Sequence, residues 1–515
     1  MPKNSNPFYL TTPLYYVNAK PHIGHAYTTI VVDTLARRHR QQGEDVFLLT
    51  GTDEHGEKIA QAAQAAGLSP EAFVDQTSQI FQSLWKVLGV SYDGFIRTTD
   101  PHHEKAVQLV LEKLRPQLEM GRYKFWYCIP CETSFGLSEV DPAKPLCPQC
   151  QRPVKQMEEE DYFLPLEKHR QWLKKYIQDH PAFILPIVRR NEVLAMLEKE
   201  LPALCITRPK ERVSWGIEVP FSAAHVTYVW FDALLNYISV LGWPDGEKFK
   251  KYWNEAGAVH FIGKDIIRHH ALYWPIILHA AGMHPPKMIF AHGWWLIKGE
   301  KMSKSKGNIV DPEAVVSAYG LDAFRYFLMR DVPFGDDGVF SEEALVSRIN
   351  ADLANDLGNL VYRTLTMLEK HASGKIPEGK RSPELLNEFM NTERAVAAAV
   401  EAVSPSEALK AIWGLISTAN SSVEKTAPWT LAREGKKQEL EQFLYALAET
   451  LRAVSIFVWP FLPTTAESIW SQLGFETPLK EERLPLALKE GSIPVGQVIR
   501  KGNPLFPRLE KEKTK

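Results

Sequence analysis

Short apolar runs broken by helical stretches set the pattern of the first half of the chain. "PFYLTTPLYY" predicts a strand that leads into "NAKPHIGHAYTTIVVDTLARRHRQQG", where Ala26, Ile30, Val31 and Leu35 recur at helical spacing and Gly43 marks the stop. "DVFLLTGTDEHG" follows as a short buried strand that ends in polar residues. Strand, helix and strand in this order predict a parallel sheet whose ligands sit beyond the strands' carboxyl ends. The pattern returns far downstream in "AVHFIGKD" and "KMIFAHGWW", separated by the helical "IIRHHALYWPIILHAAG". A Rossmann-like domain split into residues 1–120 and 227–294 is therefore expected, with residues 121–226 as an insertion.

Beyond Ser341 the periodicity becomes helical almost without strands, as in "EEALVSRINADLANDLGNLVYRTLTMLEKHA" and "ELEQFLYALAETLRAVSIFVW". Residues 343–478 are expected to form an all-α bundle of four or five helices. Residues 295–342 connect it to the sheet, and residues 479–515 read as a charged tail with a frayed end.

Composition narrows the class further. The 515 residues include 60 basic and 62 acidic ones, so any nucleic acid must be met by local patches rather than by global charge. No apolar run approaches the ~20 residues that span a bilayer, and "MPKNSNPFYL" lacks the apolar core of a secretion signal. Four of the five cysteines fall in two close pairs, "CIPC" and "CPQC", separated by fifteen residues. That spacing suits a metal site in a reducing compartment better than a disulfide framework, so a cytoplasmic protein is expected.

Two words carry candidate chemistry. "PHIGH" sits where a strand hands over to a helix: Gly24 allows close approach of a flat ligand, and the helix start offers free N–H donors to phosphate. Taken alone, two histidines such as His22 and His25 at a helix start are more often caps or surface residues than ligand contacts. "KMSKSKGN" gathers three lysines in a chain with almost no net charge, with Gly299 before it and Gly307 within it, and with Asp311 and Pro312 as cap and first residue of the next helix.

The pairing of these words across a split parallel sheet resembles the class I aminoacyl-tRNA synthetases. "PLYYVNAKPHIGH", "LLTGTDEHGEKI", "YVWFDALLNYIS", "HFIGKDIIRHHALYWP", "NLVYR" and "APW" make the chain similar to the methionyl-tRNA synthetase family over nearly its whole length. The resemblance implies ATP, L-methionine and tRNA(Met) as substrates, with methionyl-adenylate as intermediate. It assigns His22, His25, Lys301 and Lys304 to catalysis on the phosphates, and Gly24, Gly263, Asp265, His292 and Lys304 to ATP. Leu14, Tyr16, Trp230, Ala233, Leu234, Tyr237, Ile266, His270 and Trp274 fall on the methionine pocket. An unbranched thioether suits such an aromatic enclosure, although each aromatic alone reads as ordinary core. Asp53 matches the carboxylate for the substrate's ammonium.

Cys128, Cys131, Cys147 and Cys150 are expected to hold one structural zinc ion, and Mg²⁺ to accompany ATP. In the bundle the resemblance places the readers of a CAU anticodon on Asn359, Arg363, Pro428 and Trp429. Asn359 and Arg363 lie one turn apart, and Trp429 offers a stacking surface, though without the family it too reads as core. Two positions depart from many relatives: His269 stands where an aromatic residue is usual, and Leu234 where proline is. The chain ends soon after the bundle, so a monomer is expected. The isoleucine, valine and leucine branch is the near alternative; its large editing domain exceeds an insertion of roughly a hundred residues. A non-catalytic RNA-binding protein on the same scaffold, or a small nucleotidyltransferase, fits less well, because the two words, the cysteine pairs and the bundle occur together.

Overall fold

The computed structural model describes residues 6–510 except 19, 132, 149, 298, 302–308 and 490. Seven parallel strands form its central sheet: β1 (Pro7–Thr11), β2 (Tyr15–Tyr16), β3 (Asp45–Asp53), β4 (Gly94–Arg97), β5 (Ile184–Leu185), β6 (Ala258–Gly263) and β7 (Met288–His292). They run in the order β2-β3-β1-β6-β7-β5, with β4 also paired to β3. From β1 the chain builds outward through helix α1 (Ile23–Gln41) to β3 on one side, while β6 and β7 extend the sheet on the other. The direction of winding therefore reverses between β1 and β6, which opens a crevice beyond their carboxyl ends.

Ala26, Ile30, Val31 and Leu35 of α1 are all buried, as their spacing predicts. Gly43 ends the helix with φ of +86°, a conformation that costs glycine least. The long interruption carries an antiparallel sheet ordered Thr133–Phe135, Glu119–Cys128, Lys155–Leu164, Leu204–Cys205. It also supplies β5, an edge strand of the main sheet beside β7. Residues 121–226 thus touch the split domain by sheet pairing as well as by packing.

Leu321–Arg330 (α2) packs on α1 and opens the helical region. Asn359–His371 (α3), Pro383–Glu401 (α4), Pro405–Thr426 (α5), Lys437–Val458 (α6) and Pro463–Gln472 (α7) follow. Arg325 of α2 is fully buried: it meets the fully buried Asp33 of α1 at 2.8 Å and donates to the carbonyls of Phe461 and Pro460. One guanidinium therefore joins the sheet domain to the bundle. Of the end expected to fray, residues 506–509 pack on the bundle, and 511–515 lie outside the described residues. Asn350 pairs with both the N–H and the C=O of Leu509, because Leu505, Phe506 and Leu509 find apolar cover against the bundle. Among the described residues no helix is long and apolar enough to cross a membrane.

Candidate functional site

Local geometry at the start of α1 makes the first wall of the site. His22 is the helix N-cap, and its Nδ1 accepts the Gly24 N–H at 3.1 Å. His25 returns the bond, its Nδ1 accepting the His22 N–H at 3.2 Å, and the two rings stack at 3.8 Å. This is a capping box built from histidines rather than Ser and Glu. Because both Nδ1 atoms accept, the ring proton of each neutral imidazole sits on Nε2, so the helix start presents two ring N–H groups. Burial, and secondarily His22, hold the pKa of His25 well below the usual range, so it stays neutral.

A cavity of about 330 Å³ opens beside this wall. Leu14, Tyr16, Asp53, Trp230, Ala233, Leu234, Tyr237, Ile266 and His270 line it, as do His22, Gly24, His25, Gly263, Asp265 and His292. Fifteen residues from separate stretches of sequence thus converge on one space at the reversal of the sheet. Trp274 does not line the cavity. It is fully buried behind the wall, where its Nε1–H donates to His260 at 3.2 Å.

The aromatic wall is held by fixed tautomers. His270 Nδ1 donates to the Ile266 carbonyl at 3.0 Å, so its Nε2 accepts the Tyr237 hydroxyl at 2.8 Å. Burial pushes His270 down to about 4 and Tyr237 well up, so neither carries charge. His292 follows the same logic, donating from Nδ1 to Gly293 O and accepting Thr28 Oγ1–H at 2.7 Å. His269 fills its aromatic position by shape: it is 2 % exposed and stacks on Trp230 at 3.7 Å. On the opposite rim Trp294 donates to Asp265 at 3.2 Å and lies under Lys264, which pairs with Asp337 at 2.6 Å.

Lys301 lies in a short strand, Glu300–Lys301, that pairs with Trp295–Ile297, which places the root of the lysine loop at the cavity's edge. Lys304 is outside the described residues. Where the loop ends, Asp311 caps the next helix, accepting the Glu313 N–H at 2.9 Å with Pro312 in the first turn.

The four paired cysteines come together, with all Sγ atoms within 4.8 Å of one another. Cys128 and Cys150 are 3.5 Å apart, and Cys131 and Cys147 3.9 Å. A tetrahedron of sulfurs about 2.3 Å from a central ion has edges of about 3.8 Å, so the spacing fits a tetrathiolate metal site. Cys131 also borders the cavity. Arg268, next to His269, reaches back to Glu139 of the cysteine-bearing insertion at 3.2 Å. Cys205 lies apart and buried, with Arg208 Nη1 2.9 Å from its sulfur.

A second surface lies on the bundle. Asn359 and Arg363 open α3, and Arg363 meets Glu424 of α5 at 2.7 Å. Three residues further on, Ala427 adopts the left-handed conformation and turns the chain into Pro428 and Trp429. Pro428 is buried, but Trp429 is 51 % exposed and so is no core residue.

The family profile described as tRNA synthetases class I (M) matches residues 8–365, and that described as the anticodon binding domain of methionyl tRNA ligase matches residues 374–515. The chain belongs to the methionyl-tRNA synthetase family. It is 47 % identical over 515 residues to the methionine–tRNA ligase of Caldanaerobacter subterraneus subsp. tengcongensis, covering 98 % of this chain and 79 % of that one. The ligase of Thermotoga maritima is 44 % identical over 513 residues, covering 98 % and 80 %. Among solved structures, methionyl-tRNA synthetase of Mycobacterium tuberculosis in complex with methionyl-adenylate superposes with a TM-score of 0.92 at 40 % identity, covering 98 % of this chain and 100 % of that one. The free-state form of that enzyme superposes at 0.87 with 36 % identity, covering 99 % and 100 %.

Within this family member the structure also brings in residues the sequence reading did not single out. Thr28 orients His292, His260 holds Trp274, and Lys58 reaches the cavity beside Tyr16. His260 left a faint signal, a polar residue inside the otherwise apolar "AVHFIG". Thr28 left none, since threonine in a helix is unremarkable until its partner 264 residues away is known.

Proposed function

We propose that the chain is an ATP-dependent methionine–tRNA ligase, and that its central cavity joins the methionine carboxylate to the α-phosphate of ATP before passing methionine to the 3′-terminal adenosine of tRNA(Met). The observation that carries this reading is the convergence of the α1 start and the aromatic wall on one cavity. Asp53, 9 % exposed on that wall, would take the substrate's ammonium, and Trp230, Tyr237 and His270 its thioether side chain. Adenine and ribose would lie toward Gly24, Gly263, Asp265 and His292, leaving the phosphates at the helix start.

Carboxylate attack on the α-phosphorus adds negative charge to its oxygens as pyrophosphate leaves. The Nε2–H groups of His22 and His25, at the positive end of the α1 dipole, are donors set in place for that charge. Lys301 and Lys304 would bring positive charge to the leaving phosphates. Mg²⁺ would travel with ATP, consistent with its preference for phosphate oxygens and water. The four thiolates would hold zinc with no open position, a structural role in a segment with little core of its own.

Asn359, Arg363 and Trp429 would read the anticodon, with Arg363 exchanging Glu424 for RNA and Trp429 stacking an unpaired base. A monomer in the cytoplasm agrees with the self-contained cavity and the free thiols. Charging assays test the RNA half: tRNA with a CAU anticodon is expected to be methionylated, and a changed anticodon to lose most of that rate. Equal charging of both would refute the assignment of the bundle.

A further inference from the structure

Behind the cavity wall lies a buried carboxylate that no step above uses. Each oxygen of Asp232 is taken by a different histidine: Oδ2 lies 2.7 Å from His55 Nδ1, and Oδ1 lies 2.7 Å from His103 Nε2. Asp232, His55 and His103 are 0 %, 3 % and 0 % exposed, and the second nitrogen of His103 meets Ser239 Oγ at 2.8 Å. The three come from separate parts of the chain. His55 stands two residues after Asp53 at the end of β3, and His103 is in the first turn of the helix Pro101–Leu114. Asp232 belongs to the short helix Val229–Leu234, which presents Trp230 and Ala233 to the cavity.

Burying a carboxylate is costly, and apolar side chains of similar volume often stabilise a core as well or better. The position of this one relative to the cavity offers a reason for it. On the other side of Asp53's segment, Glu54 is fully buried and accepts from Nε and Nη2 of Arg97 at 2.8 Å each and from the hydroxyls of Thr52 and Thr99 at 2.6 Å. The Tyr16 hydroxyl donates to His55 O at 3.1 Å, and Trp215 Nε1 donates to Glu54 O at 2.6 Å. Glu54 is thereby tied to β4, and His55 to the Trp230 helix.

We propose that the His55–Asp232–His103 relay is a positioning device for the amino-acid subsite, fixing the span between Asp53 and the Trp230 helix. The inference rests on the reading of this cavity as the methionine site. The relay touches no substrate and acts through Asp53 and Trp230. The nucleotide side, built from α1, β6 and β7, is held by other bonds. Methionine affinity should therefore depend on the relay, and ATP affinity should not.

Pyrophosphate exchange, with methionine and ATP varied in turn, tests this on Asp232→Asn, which keeps the shape and removes the charge, and on His103→Gln, which keeps a donor toward Asp232. In Asp232→Asn the KM for methionine is expected to rise about tenfold or more, with kcat and the KM for ATP within about threefold of wild type; His103→Gln should show a smaller rise of the same kind. Parallel increases in both KM values, or an unchanged KM for methionine in a variant that unfolds at the wild-type temperature, would overturn the relay. Should Asp232→Asn fail to fold, His103→Gln and His55→Gln are judged by the same split. Absence of methionine-dependent exchange in the wild type would overturn the substrate reading and the relay with it. A wild type that exchanges, beside variants without the split, would overturn the relay alone.

Discussion

The cavity and the bundle surface are built on opposite plans. Around the cavity, His22 and His25 have Nδ1 bound by protein, and His270 and His292 have both ring nitrogens bound, which fixes where the proton sits before substrate arrives. On the bundle, Trp429 stands 51 % exposed and Arg363 is held by a single partly exposed carboxylate. A site that stabilises charge developing in a transition state benefits from donors already in place. A surface that captures an unstacked base needs an open face and contacts it can exchange. The difference teaches that pre-organisation accompanies the chemistry, while exposure accompanies the reading of a partner.

The join between the two regions should be the costliest to break. Arg325→Met leaves the buried Asp33 with Arg37 and two bonds from Ser91, and is expected to destabilise the protein by about 3–5 kcal/mol in denaturant titration. The pH dependence of stability follows from the same carboxylate. Burial alone would raise its pKa, but Arg37 and Arg325, together with the two bonds from Ser91, outweigh burial and lower it from 3.8 to about 2. Its contribution is therefore present above pH 3.8 and lost as pH falls through about 2. The Arg325→Met protein should lose stability at a higher pH than wild type in acid unfolding monitored by circular dichroism.

Next in size is the loss of a phosphate-facing donor. His25→Ala is expected to lower kcat of pyrophosphate exchange by about a hundredfold, some 3 kcal/mol, with the affinity for tRNA unchanged. Trp429→Ala should do the reverse: charging efficiency falls by about 1–3 kcal/mol, the usual worth of one stacked base, while exchange keeps its wild-type rate. Equal losses in both assays would erase the contrast between the regions. The smallest change is Tyr237→Phe, which removes one hydroxyl from His270 and should cost about 1 kcal/mol in methionine binding measured by calorimetry.

Much of this was legible before any coordinates. The period-2 and period-3.6 runs marked β1, α1, β3, β6 and β7 because each is buried in a way its side chains record. Cavity residues such as Trp230 and Tyr237 could be named only through resemblance, since an aromatic that lines a cavity and one that fills a core look alike in sequence. Trp274 shows the limit: it belongs to the same sequence word as His270, yet it packs behind the wall on His260. The edge strand β5 was missed because Ile184–Leu185 is too short to show a period, and its partner β7 lies about a hundred residues away. The packed tail was missed because a charged end hides the few apolar residues that anchor it.

The central claim is that this cavity selects methionine for adenylation. Amino-acid-dependent exchange of pyrophosphate into ATP, run in parallel with methionine, isoleucine, leucine and valine, tests it most directly. The account predicts strong exchange with methionine and little with the branched side chains; no exchange with methionine, or faster exchange with isoleucine, would contradict it.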